Sequence, residues 1–213
     1  MFDENEQHNL LYNVIVLACF YIDRFDQNPQ LCVKKASPFL EMAFSLCNQY
    51  KKQAPIEGLV YGSMINHNYG FLLASVGKWS EAVDYYKRAY EGRDFFCDYF
   101  RNDETKNELA ETAVNYSDCL LFLNRYDEAI ECAKKAMELY RHLLQPEYEH
   151  IYMNFYKAQQ MLGSIYVHVP DKKAEGLNML SNYRQWAQAH PDNSYQAIFK
   201  NISYKILKAN GQL

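Results

Sequence analysis

Two stretches of the chain, 47 residues apart, carry one pattern: Gly77-Lys-Trp-Ser-Glu-Ala-Val-Asp-Tyr-Tyr-Lys-Arg-Ala89 and Asn124-Arg-Tyr-Asp-Glu-Ala-Ile-Glu-Cys-Ala-Lys-Lys-Ala136. Each begins with a turn residue and has an aromatic residue two positions later. A Glu-Ala pair and a β-branched residue follow, and a second alanine comes seven positions after the first. Because residues seven apart lie on one face of an α-helix, each stretch predicts a turn followed by a helix with a face of small residues.

The pattern extends along the chain in both directions. A further 47 residues beyond Ala129 lies Gly176. The spacing of seven between small residues also occurs at Ala36 and Ala43. The preceding helical segments each carry a small residue among large ones, at Gly70, Ser117 and Gly163. Two antiparallel helices approach closely only where a small residue on one faces a bulky residue on the other, so the pattern predicts repeated helical hairpins. Tyr183 stands where the third copy needs its second small residue, so we expect that hairpin to pack more loosely or in a shifted position.

Apolar periodicity, with turn residues between the periodic segments, predicts helices throughout the chain. The predicted helices span residues 7–24, 33–51, 57–76, 79–98, 104–123, 126–144, 148–168, 171–190 and 194–209. No Gly/Ser-rich linker or low-complexity tract divides them. We therefore expect one domain over residues 1–213.

These repeats resemble the tetratricopeptide repeat family, and the windows Gly-Lys-Trp-Ser-Glu-Ala and Asn-Arg-Tyr-Asp-Glu-Ala carry the resemblance. It is good over residues 66–90 and 113–137, fair over 160–184 and weak over 8–50. The period of 46–47 residues exceeds the usual repeat of about 34 and falls in the range of HEAT and armadillo units, which are the alternative. The two turn windows favour the tetratricopeptide interpretation, with residues 91–109 lengthening the helices.

The resemblance implies an all-α, right-handed α-solenoid of about four antiparallel hairpins, roughly 7–51, 57–98, 104–144 and 148–190, with a C-terminal capping helix at 194–209. In this family the first helix of each hairpin lines a concave groove that holds a peptide or a partner helix. Carried over by position, the groove residues are Met64, His67, Asn68, Phe71, Glu111, Asn115, Asp118, Lys157, Gln160, Met161 and Ser164.

Asn68 and Asn115 occupy equivalent places in this groove. A side-chain amide both donates and accepts hydrogen bonds, so it can hold the backbone of an extended peptide without reading its sequence. The alternative is that both are ordinary solvated surface residues. Family members that grip a C-terminal carboxylate use several basic residues, whereas Lys157 is the one clear cation here. The mixture of Glu111, Asp118 and Lys157 predicts a ligand with polar and basic character.

Composition and motifs disfavour nucleic-acid binding and catalysis. The chain has 22 Lys and Arg against 26 Asp and Glu, a net charge of −4, whereas phosphate binding needs a basic surface. It contains no His-Glu-x-x-His, phosphate-binding-loop or Gly-x-Ser-x-Gly motif, and its six histidines are scattered. We therefore expect no enzyme, no cofactor and no metal. A weak metal site at His142 and His150, beside Glu147 and Glu149, is the alternative to a solvated turn.

Six cysteines without a Cys-x-x-Cys pair predict free thiols and a cytoplasmic location. Residues 10–22 are apolar on nearly every side but too few to span a membrane. A helix that is apolar all round is buried all round. We therefore expect a second subunit, an upstream segment or later helices to cover it, which makes a homo-oligomer through residues 10–22 one prediction.

The sequence thus predicts a protein–protein interaction module with a scaffold or regulatory role, without a nucleic-acid or membrane partner. The alternative is a sensory or regulatory domain that responds to a signal peptide. Further alternatives are an RNA-binding helical repeat, suggested by the 19 tyrosines, and an enzyme whose catalytic residues meet only in space.

Overall fold

A computed structural model describes residues 4–25, 27–145, 149–189 and 203–211. Among these residues every regular element is helical, and consecutive helix pairs pack against each other within each unit, so the predicted all-α fold is confirmed. The helices are α1 (Glu4–Arg24), α2 (Pro29–Tyr50), α3 (Pro55–Ser75), α4 (Trp79–Phe100), α5 (Asp103–Phe122), α6 (Tyr126–Leu143), α7 (Glu149–Val167), α8 (Lys173–Ala189) and α9 (Ser203–Ala209). A 3₁₀ turn, Pro170–Lys172, precedes α8. Of the predicted capping helix 194–209, residues 194–202 lie outside the described residues.

The chain divides into two compact units at Thr105 and Lys106. In the first unit, α1 packs on α2, α2 on α3 and α3 on α4, and α1 also touches α3. One apolar cluster fills the space between α1, α2 and α3, with Leu11, Ile15, Leu40 and Ile65 fully enclosed. In the second unit, α6 packs on α7 and α7 on α8, while α9 contacts both α7 and α8. One domain over residues 1–213 remains a prediction.

The turns inside the two best-matching repeats are built in the same way. Gly77 and Asn124 both adopt left-handed backbone conformations, with φ of 79° and 57°. The amide of Lys78 donates to the carbonyl of Leu73 at 2.9 Å, and the amide of Arg125 donates to the carbonyl of Leu120 at 2.9 Å. This pattern closes a helix with a residue that tolerates positive φ, which Gly and Asn do best. The sequence equivalence of the two turn residues is therefore confirmed.

Small residues sit where the helices approach most closely. Gly70 is buried, and a Cβ atom built on it lies 2.9 Å from the ring of Tyr86 on α4. Ala82 and Ala89 on α4 are fully buried, as are Ala129 and Ala136 on α6. The predicted match of small residue against bulky residue is therefore confirmed in the hairpin of α3 and α4.

The expectation of a looser third hairpin is wrong. A Cβ atom on Gly176 of α8 lies 2.7 Å from the carbonyl oxygen of Gly163 on α7. The two backbones therefore touch where both helices lack a side chain, and this approach is closer than the 2.9 Å at Gly70. Tyr183 is accommodated as a buried side chain, with 1% of its surface exposed.

Within the described residues, helix α1 is buried on one face only, and a second subunit or an upstream segment over its outer face remains a prediction. Its inner face contributes Leu11, Val14, Ile15, Ala18 and Ile22 to the core. Its outer face leaves Leu10, Tyr12, Val16, Leu17 and Phe20 exposed. None of the described helices is both long enough and apolar enough to cross a membrane.

The cysteines and aromatic residues are mainly packing elements. All six cysteines are free thiols, and Cys32, Cys47, Cys119 and Cys132 are buried. Tyr86, Tyr140 and Tyr183 are among the largest fully enclosed side chains. Phe95, Tyr99 and Phe100 at the end of α4 are exposed instead and contact one another.

Replacing Gly70 by alanine is expected to destabilise the protein. The added methyl group meets the face of the Tyr86 ring, and overpacking of a core costs about 1–3 kcal/mol, against a gain of up to about 1 kcal/mol in helix propensity. Gly62 on the same helix is the matched control, because its nearest neighbour, Cys47 Sγ, lies at an ordinary 3.9 Å. Gly62→Ala is therefore expected to stabilise. Urea unfolding of both variants measures the difference, and equal shifts would show that the contact with Tyr86 does not set the spacing of α3 and α4.

Candidate functional site

The residues predicted to line a groove lie on the first helices of three hairpins. Met64, His67, Asn68 and Phe71 are on α3 in the first unit. The second unit holds Glu111, Asn115 and Asp118 on α5, and Lys157, Gln160, Met161 and Ser164 on α7. Eight of these eleven side chains are partly or fully exposed: Met64, Asn68, Phe71, Glu111, Asn115, Asp118, Lys157 and Met161.

His67, Gln160 and Ser164 are buried, so they do not present a surface to a ligand. The Ser164 hydroxyl donates to the carbonyl oxygen of Gln160 at 2.9 Å, a bond within one helical turn that allows a hydroxyl to be buried. The Gln160 side-chain nitrogen has no hydrogen-bond partner among the described residues. These three residues belong to the packing between helices.

His67 is held inside the first unit by Arg93 of α4. The Arg93 guanidinium lies 3.2 Å from His67 Nδ1, and both side chains are buried. Since a guanidinium only donates, Nδ1 accepts and the ring proton sits on Nε2. Burial, followed by the positive charge of Arg93, holds the pKa of His67 well below its usual value. His67 is therefore a neutral packing residue, and its partner, 26 positions later, gave no signal in the sequence.

The two repeat-equivalent asparagines have different surroundings. Asn68 donates from its side-chain nitrogen to Cys19 Sγ of α1 at 3.4 Å, so part of its hydrogen-bonding capacity is used inside the first unit. Asn115 is half-buried, and its side-chain amide has no hydrogen-bond partner within the described parts of the chain. Asn115 thus keeps both a donor and an acceptor for a ligand.

Asn115 lies within a polar face of α5. Glu111, Asn115 and Asp118 are spaced by four and three residues, so they share one side of the helix. Burial raises the pKa of the Asp118 carboxyl to about 6. No hydrogen bond or salt bridge to this carboxylate occurs among the described residues. Asp118 is therefore a poorly solvated acid that favours a cationic or hydrogen-bond-donating neighbour.

Lys157 of α7 lies within electrostatic reach of this face. Burial lowers the pKa of the Lys157 ammonium group, and the carboxylate of Glu111 opposes the shift. Glu111 and Lys157 thus interact electrostatically within the second unit, and the mixed lining of a groove remains a prediction. Met64 and Phe71 in the first unit pack against its apolar core with part of their surface exposed.

Two cavities on the other side of the hairpins were missed by the sequence. A cavity of about 420 Å³ lies between α2 and α4 and has Gly58, Gly62, Ser63 and Asn66 of α3 among its lining residues. In the second unit, a cavity of about 540 Å³ between α6 and α8 is lined by Leu162 and Tyr166 of α7. The pair Gly58 and Gly62, four residues apart on α3, was the available signal for the first cavity. The second cavity had no such signal in the sequence, because its lining residues are large and form no distinctive pattern.

No group of three His, Cys, Asp or Glu side chains in the described regions is arranged to hold a metal ion. Of the alternative metal site near the sixth helix, Glu147 lies outside the described residues, as does the side chain of Glu149.

The neutral state of His67 predicts a specific pH dependence of stability. Below about pH 6.5 an unfolded chain binds a proton at this histidine that the folded chain does not, so acidification favours unfolding. In the wild type, His67 is expected to lower the unfolding free energy between pH 6.5 and 5, by at most about 1.4 kcal/mol per pH unit for one histidine. His67→Gln is expected to make this decrease smaller. His142→Gln, at an exposed position, is the control for the loss of an imidazole. Urea unfolding at a series of pH values tests this, and a slope equal to that of the wild type in His67→Gln would contradict it.

Comparison with known proteins agrees with the hairpin geometry. Residues 63–142 match the tetratricopeptide repeat family. This segment runs from α3 to the end of α6 and contains both turns with left-handed Gly77 and Asn124. No curated protein matches the chain. Residues 63–142 are therefore similar to tetratricopeptide repeats, which generally mediate protein–protein interaction.

Proposed function

We propose that the chain is a non-enzymatic interaction module that binds a peptide through the polar face of α5. The contacts would come from Glu111, Asn115 and Asp118, with Lys157 and Met161 of α7 in the same unit. The observation that carries the proposal is Asp118, a partly enclosed carboxylate without a partner among the described residues and with a pKa raised to about 6. An acid in this state is unfavourable for folding and becomes favourable when a ligand supplies a positive charge.

The neighbouring residues indicate what kind of ligand fits. Asn115 offers a donor and an acceptor, which together match the carbonyl and amide of an extended peptide. A Lys or Arg side chain of the peptide would pair with Asp118, and a charge-assisted hydrogen bond there is stronger than one in bulk water. Lys157, beside Glu111, disfavours a second positive charge close to the first. The preferred ligand is therefore a peptide with one basic residue flanked by polar or acidic ones.

In the first unit, Met64, Asn68 and Phe71 are the proposed contacts for apolar parts of a ligand or for a partner helix. Their side chains are partly exposed on α3, and Met64 and Phe71 are apolar. All six cysteines are free, which supports a reducing compartment such as the cytoplasm as the site of action.

Asp118→Asn and Asn115→Ala are expected to weaken peptide binding while leaving the fold intact. Peptides selected from a random displayed library on the wild-type chain supply the probe, and fluorescence anisotropy gives the dissociation constants. Asp118→Asn removes a charge-assisted contact and is expected to raise the dissociation constant about tenfold or more. Asn115→Ala removes a neutral hydrogen bond and is expected to raise it several-fold. Selected peptides are expected to contain Lys or Arg.

The same Asp118→Asn variant is expected to be more stable than the wild type at pH 7, by roughly 1–3 kcal/mol, because the folded state no longer holds an ionised, poorly solvated acid. Asp127→Asn and Asn178→Ala, at exposed positions of the same unit, are the matched controls and are expected to change neither property. Peptides that bind wild type and Asp118→Asn equally well would reject the α5 face as the binding surface.

A further inference from the structure

Helix α1 presents an apolar surface on the side opposite to the core. Val16, Leu17 and Phe20 expose 45%, 43% and 53% of their surface, and Leu10 exposes 37%. Asn13 lies between them and Asn9 next to Leu10, both on the same exposed side. Four large apolar side chains grouped on one helix face, rather than scattered singly, mark an interaction surface.

The two ends of this face carry opposite charges. Glu6 lies in the first turn region and Arg24 in the last turn, and both are exposed. They are 18 residues apart, which is five helical turns, so both point to the same side of α1. They are also equally far from Ile15, at the middle of the helix. The face is therefore acidic at one end, apolar in the middle and basic at the other end.

We propose that this face of α1 binds α1 of a second copy of the chain in antiparallel orientation, around a two-fold axis on the outer side of the helix at the level of residue 15. A two-fold axis places residues at equal distances from it opposite each other. Glu6 then meets Arg24 of the second copy at both ends of the pair. Leu10 lies opposite Phe20 of the second copy, and Leu17 lies opposite Asn13.

The charges favour a second copy over a lipid surface. Helices that lie on membranes carry several Lys and Arg beside their apolar face, because the lipid headgroups are anionic. The exposed side of α1 carries Glu6 and Asp23 with Arg24 as its single cation within the described part of the helix. An antiparallel copy matches the charges at the two ends, since Glu6 of each copy faces Arg24 of the other, and the opposed helix dipoles are also favourable.

The size of the surface predicts a reversible dimer. A helix of 21 residues is about 31 Å long, so two such helices bury an area at the low end of specific interfaces. Interfaces below about 1,200 Å² are typical of weak or transient association. We therefore expect a monomer–dimer equilibrium in the micromolar range.

Sedimentation equilibrium of the full chain over a range of concentrations tests the dimer. Leu17→Glu is expected to raise the dissociation constant at least about tenfold, because it places a charge at the centre of the apolar contact. Met42→Glu, at an equally exposed apolar position on α2, is the control and is expected to dimerise like the wild type. Circular dichroism and thermal melting of both variants show that the fold is retained. A wild type that stays monomeric, or a Leu17→Glu variant that dimerises normally, would overturn the proposal.

Charge exchange tests the orientation. Glu6→Arg and Arg24→Glu each place like charges opposite each other twice per dimer, and each is expected to weaken association several-fold at low salt. The double variant Glu6→Arg/Arg24→Glu restores both pairs and is expected to recover the wild-type dissociation constant. The differences are expected to shrink in high salt, because exposed charges are screened. A double variant as weak as the single variants would rule out the antiparallel arrangement.

Discussion

The close approach of paired helices at small residues is the constraint on which the rest of the structure depends. The ring of Tyr86 lies against the backbone of α3 because Gly70 has no side chain there. Gly163 and Gly176 allow an even closer contact between α7 and α8. Fixing two helices at such a point also fixes which side of each helix is enclosed, since 3.6 residues make one turn. The left-handed turns at Gly77 and Asn124 then return the chain at the required distance.

That constraint separates packing residues from surface residues that are adjacent in sequence. His67 points into the first unit and meets Arg93, whereas Asn68 lies at the edge of the core and bonds to Cys19. In the second unit, Ser164 satisfies its hydroxyl within α7, whereas Asn115 keeps its amide available. The residues that remain accessible on α5 are polar and charged, which suits a peptide better than an apolar ligand.

Two features make the isolated folded chain less stable, and we propose a binding partner for each of them. The carboxyl group of Asp118 is poorly solvated, and the outer face of α1 exposes large apolar side chains to water. Neither contributes to the packing of the hairpins, so neither is explained by the fold. Unfavourable features of this kind are expected at binding surfaces, because a partner that supplies the missing charge or apolar contact binds the folded state and stabilises it.

The sequence by itself determined the helices, the turns and the small residues of the hairpins, because each depends on neighbours within one or two turns. Gly77, Asn124 and the paired alanines are signals of this local kind, although α2 begins at Pro29, four residues before its predicted start. Tertiary structure alone decided that His67 pairs with Arg93, that Gly163 meets Gly176, that cavities form beside α3 and α7, and that α1 is enclosed on one face only. Each of these depends on the rotation of one helix about its axis relative to another. The pattern of apolar residues leaves that rotation open where, as in α1, apolar side chains occupy nearly every side.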